Sequence, residues 1–285
     1  MNMRALDRFT VAALAALTLT FAAAADAPII PLDVAGPRPT AQLTVGAHPP
    51  VTVIFDTGAG GTVLLPEFAA KLDLPNEGPV QVGSPAGGTP RQGYRTTIPS
   101  ARLGGAALTN ARAVVVDLGL PLEGIAGVMS PNAFSGSLVR FELKQSRVVV
   151  APKTPETTPA DEAFPYGGGN HALPAATIDV AGVKVEAHID TGNGRGLALP
   201  FELSKQVKLK TPLAPAKEVR MVASAHKAYT ATIAGTVRVG PLALTDPEVV
   251  FVEGVPMANV GFSVLKELTV VLDPKDRRTW LLRAD

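Results

Sequence analysis

From residue 40 onward the chain places its apolar residues in short, closely spaced runs. Val51–Phe55, Ala113–Val116, Val148–Val150, Val183–Ile189, Thr236–Val239 and Val249–Val252 are rich in Val, Ile and Phe and are separated by turns containing Gly, Pro and Asn. Their lengths, β-branched content and turn punctuation predict strands. Helix is expected only at Glu67–Leu72 and Phe201–Val207, which follow Pro66 and Pro200, residues suited to a first helical turn. Residues 151–172 break the pattern: Pro152, Pro155, Pro159 and Pro165 are followed by Gly167, Gly168 and Gly169. Such a composition builds no core and reads as a linker. The pattern predicts an all-β chain in two parts, residues 26–150 and 173–285.

Composition narrows the chemistry. Of 285 residues, 46% are hydrophobic, which supports packed cores and excludes wholesale disorder. The 26 Lys and Arg nearly balance 25 Asp and Glu, and a net charge of +1 argues against nucleic acid as a partner. Cysteine is absent, which removes disulfides, thiolate nucleophiles and zinc–thiolate sites together. Four scattered histidines argue against a His-based metal centre, and Asp33, Asp117, Glu123 and Glu253 lack metal-ligand spacing, so no metal site is predicted.

Residues 1–25 read as an export signal. Arg4 and Arg8 precede the apolar stretch Phe9 to Phe21, which ends in the small residues Ala22 to Ala25. The stretch is shorter than the roughly 20 residues of a spanning helix, so no stable membrane insertion is expected after cleavage. Retention as an anchor is the alternative. Without Arg4, Arg8 and Asp7 the remainder holds 24 basic and 24 acidic residues, a neutral protein expected in the periplasm or outside the cell.

The most informative feature is internal. Residues 51–66 read VTVIFDTGAGGTVLLP and residues 185–200 read VEAHIDTGNGRGLALP, so that Asp56-Thr57-Gly58 and Asp190-Thr191-Gly192 lie 134 residues apart. Ile125-Ala126-Gly127 and Asn259-Val260-Gly261 keep that offset of 134, Leu108-Thr109-Asn110 matches Leu244-Thr245-Asp246 at 136, and Val139 to Glu142 matches Val270 to Asp273 at 131. Ordered anchors at nearly constant spacing predict two copies of one β-rich lobe.

Each copy carries an aspartate at the end of an apolar strand, just before a glycine-rich turn. A carboxylate there is costly unless it is hydrogen-bonded or paired. The duplicated lobe supplies a partner, the same residue of the other copy. Two carboxylates in contact share a proton and titrate as a unit. One can act as base toward water while the other, protonated, acts as acid toward a carbonyl oxygen. Gly58 and Gly192 let backbone N–H groups approach the carboxylates, and the Thr57 and Thr191 hydroxyls can tie the two loops together.

At these residues the chain resembles the aspartic proteases, pepsin-like and retropepsin-like, in a bacterial, two-lobed single-chain form. Phe55-Asp56-Thr57-Gly58-Ala59, continued by Thr62-Val63-Leu64, is close to the retropepsin version, and the likeness extends over about residues 40–150 and 173–282. The resemblance implies a bilobal acid-protease fold of two β-barrel lobes with the active site between them. It further implies a monomeric aspartic endopeptidase with Asp56 and Asp190 as catalytic residues and no cofactor. The substrate would be a peptide or unfolded protein, held extended beneath a hairpin flap. Residues 81–98, with Gly83, Gly87, Gly88 and Gly93, suit that flap, and Tyr94 is the residue expected to cover the substrate.

Departures from the family pattern carry expectations of their own. Ala59 stands where pepsin-like enzymes place a hydroxyl, which implies a milder pH optimum than pepsin's. Asn193, Arg195 and Asn259 set the second copy apart, and an Arg195 turned toward the aspartates would spoil proton sharing. On that ground the rival reading is a catalytically inactive peptide-binding protein of the cell envelope with the same fold. The glycine-rich turns lack the helix and the Gly-Lys-Ser/Thr of a phosphate loop. His188, on the strand face of Asp190, reads as a structural histidine, and Trp280 as packing.

Overall fold

The computed structural model describes residues 27–84, 86–167 and 172–284; the export signal expected over residues 1–25 lies outside them. After β1 (Ile29–Pro31), the first lobe runs through β2 (Thr40–Val45), β3 (Val51–Phe55), β4 (Thr62–Leu64), β5 (Pro79–Val82), β6 (Arg91–Leu103), β7 (Ala106–Val115) and β8 (Gly127–Met129). Strands β9 (Ser137–Glu142), β10 (Arg147–Pro152) and β11 (Phe164–Pro165) lead out of it. The second lobe is built from β12 (Ala175–Val180), β13 (Val183–Asp190), β14 (Leu197–Pro200), β15 (Ala214–Arg220), β16 (Ala225–Thr232), β17 (Thr236–Val239), β18 (Leu242–Thr245), β19 (Glu248–Val252) and β20 (Ala258–Gly261). The last two strands are β21 (Leu268–Asp273) and β22 (Arg278–Arg283). Among the described residues, helix is limited to short pieces such as Pro66–Ala69, with proline in its first turn, and the 3₁₀ turn Phe201–Lys205.

The lobes share one circuit of strand pairing. In the first, the order is β2-β3-β8-β4-β7-β6-β5, and pairing of β2 with β6 closes six strands into a barrel. In the second, β13 again runs parallel to its late partner β20, β14 lies between β20 and β19, and β12 pairs with β17. The continuous strand β6 is represented there by β16 and β17, interrupted at Ala234-Gly235, so the second lobe is an open half-barrel. A third sheet, β1-β10-β9-β21-β22-β11, draws on both lobes and joins them through the β9–β21 pairing. The molecule is therefore all-β and bilobal, as the strand pattern predicts.

Left-handed backbone residues repeat at matched places: Gly104 and Gly240 at φ 53°, Asn110 and Asp246 at φ 50° and 46°, Ser146 and Arg277 at φ 53° and 54°. These conformations disfavour most side chains, so their recurrence follows turn geometry that both lobes need. Strand register also refines the sequence alignment. Val53 faces Gly127 across β3 and β8, while Ala187 faces Ala258 across β13 and β20. Val128 of the first lobe is thus the counterpart of Asn259 in the second, at an offset of 131 and not 134.

The main core runs through both lobes and reaches the joining sheet. Phe55, the residue before Asp56, is fully buried, with ring centroids 4.9 Å from Phe141 of β9 and 6.1 Å from Phe134. The strand bearing the first aspartate is thereby wedged against the floor that joins the lobes. Truncating Phe141 to Ala opens a cavity there and is expected to cost about 3–5 kcal/mol in urea unfolding. The proline-rich segment after residue 150 is less free than its composition suggests. Ala151 and Pro152 finish β10, Phe164–Pro165 form β11 against β22, and Trp280 donates its Nε1–H to the Asp161 carbonyl at 3.1 Å.

Candidate active site

Asp56 follows β3 directly and Asp190 is the last residue of β13. Each strand is flanked by a parallel partner, β8 or β20, so each aspartate emerges from the middle of its sheet with a fixed direction. The turns that follow are locked together by the two threonines, both fully buried. The Thr57 N–H donates to Thr191 Oγ1 and the Thr191 N–H to Thr57 Oγ1, each at 3.0 Å. The hydroxyls in turn donate across the lobes, Thr57 to the Ile189 carbonyl at 2.6 Å and Thr191 to the Phe55 carbonyl at 2.9 Å. Burial of two hydroxyls is tolerated because each both donates and accepts.

This lock brings the carboxyls together. Asp56 Oδ1 accepts from the Gly58 N–H at 2.7 Å and, across the interface, from the Gly192 N–H at 3.1 Å. Asp190 Oδ1 accepts from the Asn193 N–H at 3.0 Å, and its Oδ2 accepts from Asn259 Nδ2 at 2.6 Å. The glycines have no space for a side chain. A Cβ on Gly58 would lie 2.6 Å from Asp190 Cγ, and one on Gly192 would overlap the Asp56 carboxyl. Each lobe thus presents bare backbone to the other lobe's aspartate, which is what permits two carboxyls to meet.

Electrostatics follow from that approach. Both aspartates are half-buried by exposed area, yet the Asp56 carboxyl lies deep among protein atoms. Burial first, and then the neighbouring Asp190, raise its pKa well above the ordinary carboxylate value, although the Gly58 and Gly192 amides work in the opposite direction. A carboxyl raised on folding binds a proton in the native state that the unfolded chain has already released. Its stabilising contribution is complete below the unfolded carboxylate range and is lost as pH rises through the native value. Asp56→Asn removes that dependence. Its melting temperature is expected to exceed the wild type's by a margin that grows between mildly acidic and neutral pH, as thermal unfolding across that range would show.

Two hairpins, one from each lobe, meet at their tips. The β5–β6 tip carries Ser84, Ala86, Gly87 and Gly88, and the β15–β16 tip carries Met221 to Ser224. The turn of the first tip is closed locally by the Ala86 N–H, which donates to Ser84 Oγ at 3.2 Å. Across the gap the Thr89 N–H donates to the Ala223 carbonyl at 3.1 Å, Arg91 Nε to the Val222 carbonyl at 2.6 Å, and Ser84 Oγ approaches Met221 Sδ at 3.7 Å. An apolar cluster of Ile54, Val116, Leu118 and Val128 packs with Ala59 of the aspartate turn, Val82 of one hairpin and Val222 of the other. Both lobes therefore contribute a hairpin to this contact.

Of the residues predicted from sequence, Asp56, Asp190, Thr57, Thr191, Gly58 and Gly192 are all brought together at the lobe interface. Tyr94 stands on β6, past the hairpin tip, with its half-buried ring against the main core. Arg195 is exposed, and its backbone, not its guanidinium, turns inward, where the N–H donates to Asn193 Oδ1 at 3.0 Å. Sequence reasoning missed Arg38, which donates Nε–H to the Gly192 carbonyl at 2.5 Å, and Arg91 at the hairpin contact. Neither arginine lies near its partner in sequence, and no local motif marks them. Asn193 and Asn259 register in the sequence only as departures, whereas both hydrogen-bond at Asp190.

Comparison with known proteins bears on the first lobe. Residues 41–129, which hold the first Asp-Thr-Gly and most of the first lobe, match the family model for aspartyl proteases. No curated protein matches the chain. The first lobe is thus similar to the aspartyl proteases, and the second repeats its strand circuit and its Asp-Thr-Gly turn, the two turns being locked at their interface.

Proposed function

We propose that this protein is an aspartic endopeptidase of the periplasm or extracellular space, acting as a monomer on peptides or unfolded proteins. The observation that carries the reading is the contact of each lobe's glycine with the other lobe's aspartate, held by reciprocal threonine bonds. With one proton between them, the two carboxyls can hold a water against a peptide carbonyl. The ionised carboxyl takes a proton from the water as its oxygen attacks the carbonyl carbon, and the protonated one gives its proton to the carbonyl oxygen. The resulting tetrahedral diol collapses when the amide nitrogen receives a proton and the C–N bond breaks. A new carboxyl and a new amine leave, and the pair regains its single proton.

The hairpin tips would form the roof over an extended substrate, with Tyr94, on the strand leading from one of them, as the residue that covers it. The inactive-binder reading draws on Arg195, Asn193 and Asn259. An outward Arg195 and asparagines that donate to Asp190 are compatible with a working pair, so hydrolysis is the better-supported reading. The test is incubation of the purified protein with an unfolded protein between pH 3 and 7, with products read by mass spectrometry. Internal cleavage with an optimum above about pH 3 is expected, given that an unperturbed aspartate titrates near 3.9. Absence of cleavage throughout would refute the proposal.

A further inference from the structure

The two halves of the aspartate pair differ in one coordinated way. Around Asp56 the first lobe places Ile54, Ala59 and Val128, none of which can donate a hydrogen bond from its side chain. At the three matching places the second lobe has His188, Asn193 and Asn259. His188 and Asn259 are register partners across β13 and β20, and Asn193 follows Asp190 on the turn. An apolar trio has become a polar one on one side only.

The direction of the polar chain can be deduced from its fixed end. The Arg195 backbone N–H can only donate, so the Asn193 side-chain atom that receives it at 3.0 Å is the carbonyl oxygen. That leaves Asn193 Nδ2 to donate to Asn259 Oδ1 at 2.8 Å. Asn259 in turn must present its Nδ2 to Asp190 Oδ2, at 2.6 Å. The amide orientations therefore follow from a backbone donor and need no further assumption. Asp190 Oδ1 meanwhile accepts from the Asn193 N–H. Both Asp190 oxygens face donors, and donors favour the ionised carboxylate. At Asp56 both backbone amides converge on Oδ1 and neither reaches Oδ2, which leaves that oxygen free to carry a proton.

From this geometry we infer that the Arg195–Asn193–Asn259 relay assigns the pair's single proton to Asp56 and keeps Asp190 ionised, so that Asp190 is the base toward water and Asp56 the acid toward the carbonyl. Asn259 is on this assignment a positioning residue that acts through Asp190. The division of roles rests on the hydrolytic reading, but the placement of the proton does not. Among the described residues, the other charged or titratable groups nearby are His188 and Glu186 on β13, Arg38 at the Gly192 carbonyl, and the exposed Arg195 side chain. His188 is buried with Nε2 unpartnered, and burial lowers its pKa, so it is a poor source of fixed charge beside Asp190.

The test follows the carboxyl ¹³C resonances of Asp56 and Asp190 with pH in the full protein, assigned through Asp56→Asn and Asp190→Asn. Asp190 is expected to ionise first in the wild type. In Asn259→Val, which installs the residue of the first lobe, that first ionisation should move up by about one pH unit, a roughly tenfold rise in proton affinity. Asn193→Ala, which frees the Asn259 amide to turn, should move it in the same direction by less, and serves if Asn259→Val does not fold. His188→Ile should leave the order unchanged. A purely structural Asn259 would alter the melting temperature and leave the titration alone. Ionisation of Asp56 first, no shift in either relay variant, or a reversed order in His188→Ile would overturn the assignment. In kinetics, the acid limb of kcat/KM should rise with the first ionisation while the alkaline limb stays. The expected titration in a protein that cleaves nothing would defeat the protease reading and leave the proton placement standing. Cleavage with an unshifted titration would do the reverse.

Discussion

Replacing Asp56 or Asp190 by Asn is expected to reduce cleavage of an unfolded protein by about 10³–10⁴-fold, measured as kcat/KM on the same substrate at mildly acidic pH. The substitution nearly preserves shape. An Asn at position 56 keeps an oxygen for the Gly58 and Gly192 amides, and the threonine lock does not involve either carboxyl. What is lost is proton transfer, because an amide can neither take a proton from water nor share one with its neighbour. Since the pair works as a unit, the double variant should be little worse than either single one. Near-additive losses would mean that the two residues act independently. Activity retained in both single variants would remove them from the chemistry altogether.

Gly58→Ala and Gly192→Ala should each lower kcat by about 10²-fold or more, because an added methyl meets the opposite carboxyl directly. For Gly58 the new carbon would lie 2.6 Å from Asp190 Cγ, far inside van der Waals contact, and the neighbouring turn is pinned by buried threonines and cannot retreat cheaply. The carboxyls must separate or rotate, and either movement breaks proton sharing. Gly61→Ala is the control, since a Cβ there has open space around it. Its kcat should stay within about twofold, consistent with an unconstrained surface position. Equal effects at all three glycines would point to loop mobility in place of crowding at the pair.

Much of this site is legible in the chain because its chemistry is local. Asp-Thr-Gly places the carboxyl, the locking hydroxyl and the bare backbone in three consecutive residues, and two copies announce their pairing. Strands with Val-rich runs are equally legible; Val51–Phe55 and Thr236–Val239 are strands with those same bounds. Other strands hold together by pairing instead of composition. β6 spans 13 residues that include Arg91, Gln92, Thr96 and Pro99, and its ladder with β7 skips Pro99 opposite the left-handed Asn110. β15 contains Pro215, Lys217 and Glu218 and is secured by β16. The relay at Asp190 is hidden for a related reason. Asn193 and Asn259 are 66 residues apart and meet only once β20 lies beside β13, three residues out of the register that the sequence match suggests.

The central claim, that two aspartates from different lobes form one proton-sharing catalytic unit, is tested most directly by the binding of a statine-type transition-state mimic across pH. Tight binding by the wild type, at least about 100-fold stronger than a comparable substrate peptide, is expected while the pair holds one proton. That binding should weaken at higher pH and be lost in both Asp56→Asn and Asp190→Asn. Equal affinity of the wild type and the two variants, at every pH, would contradict it.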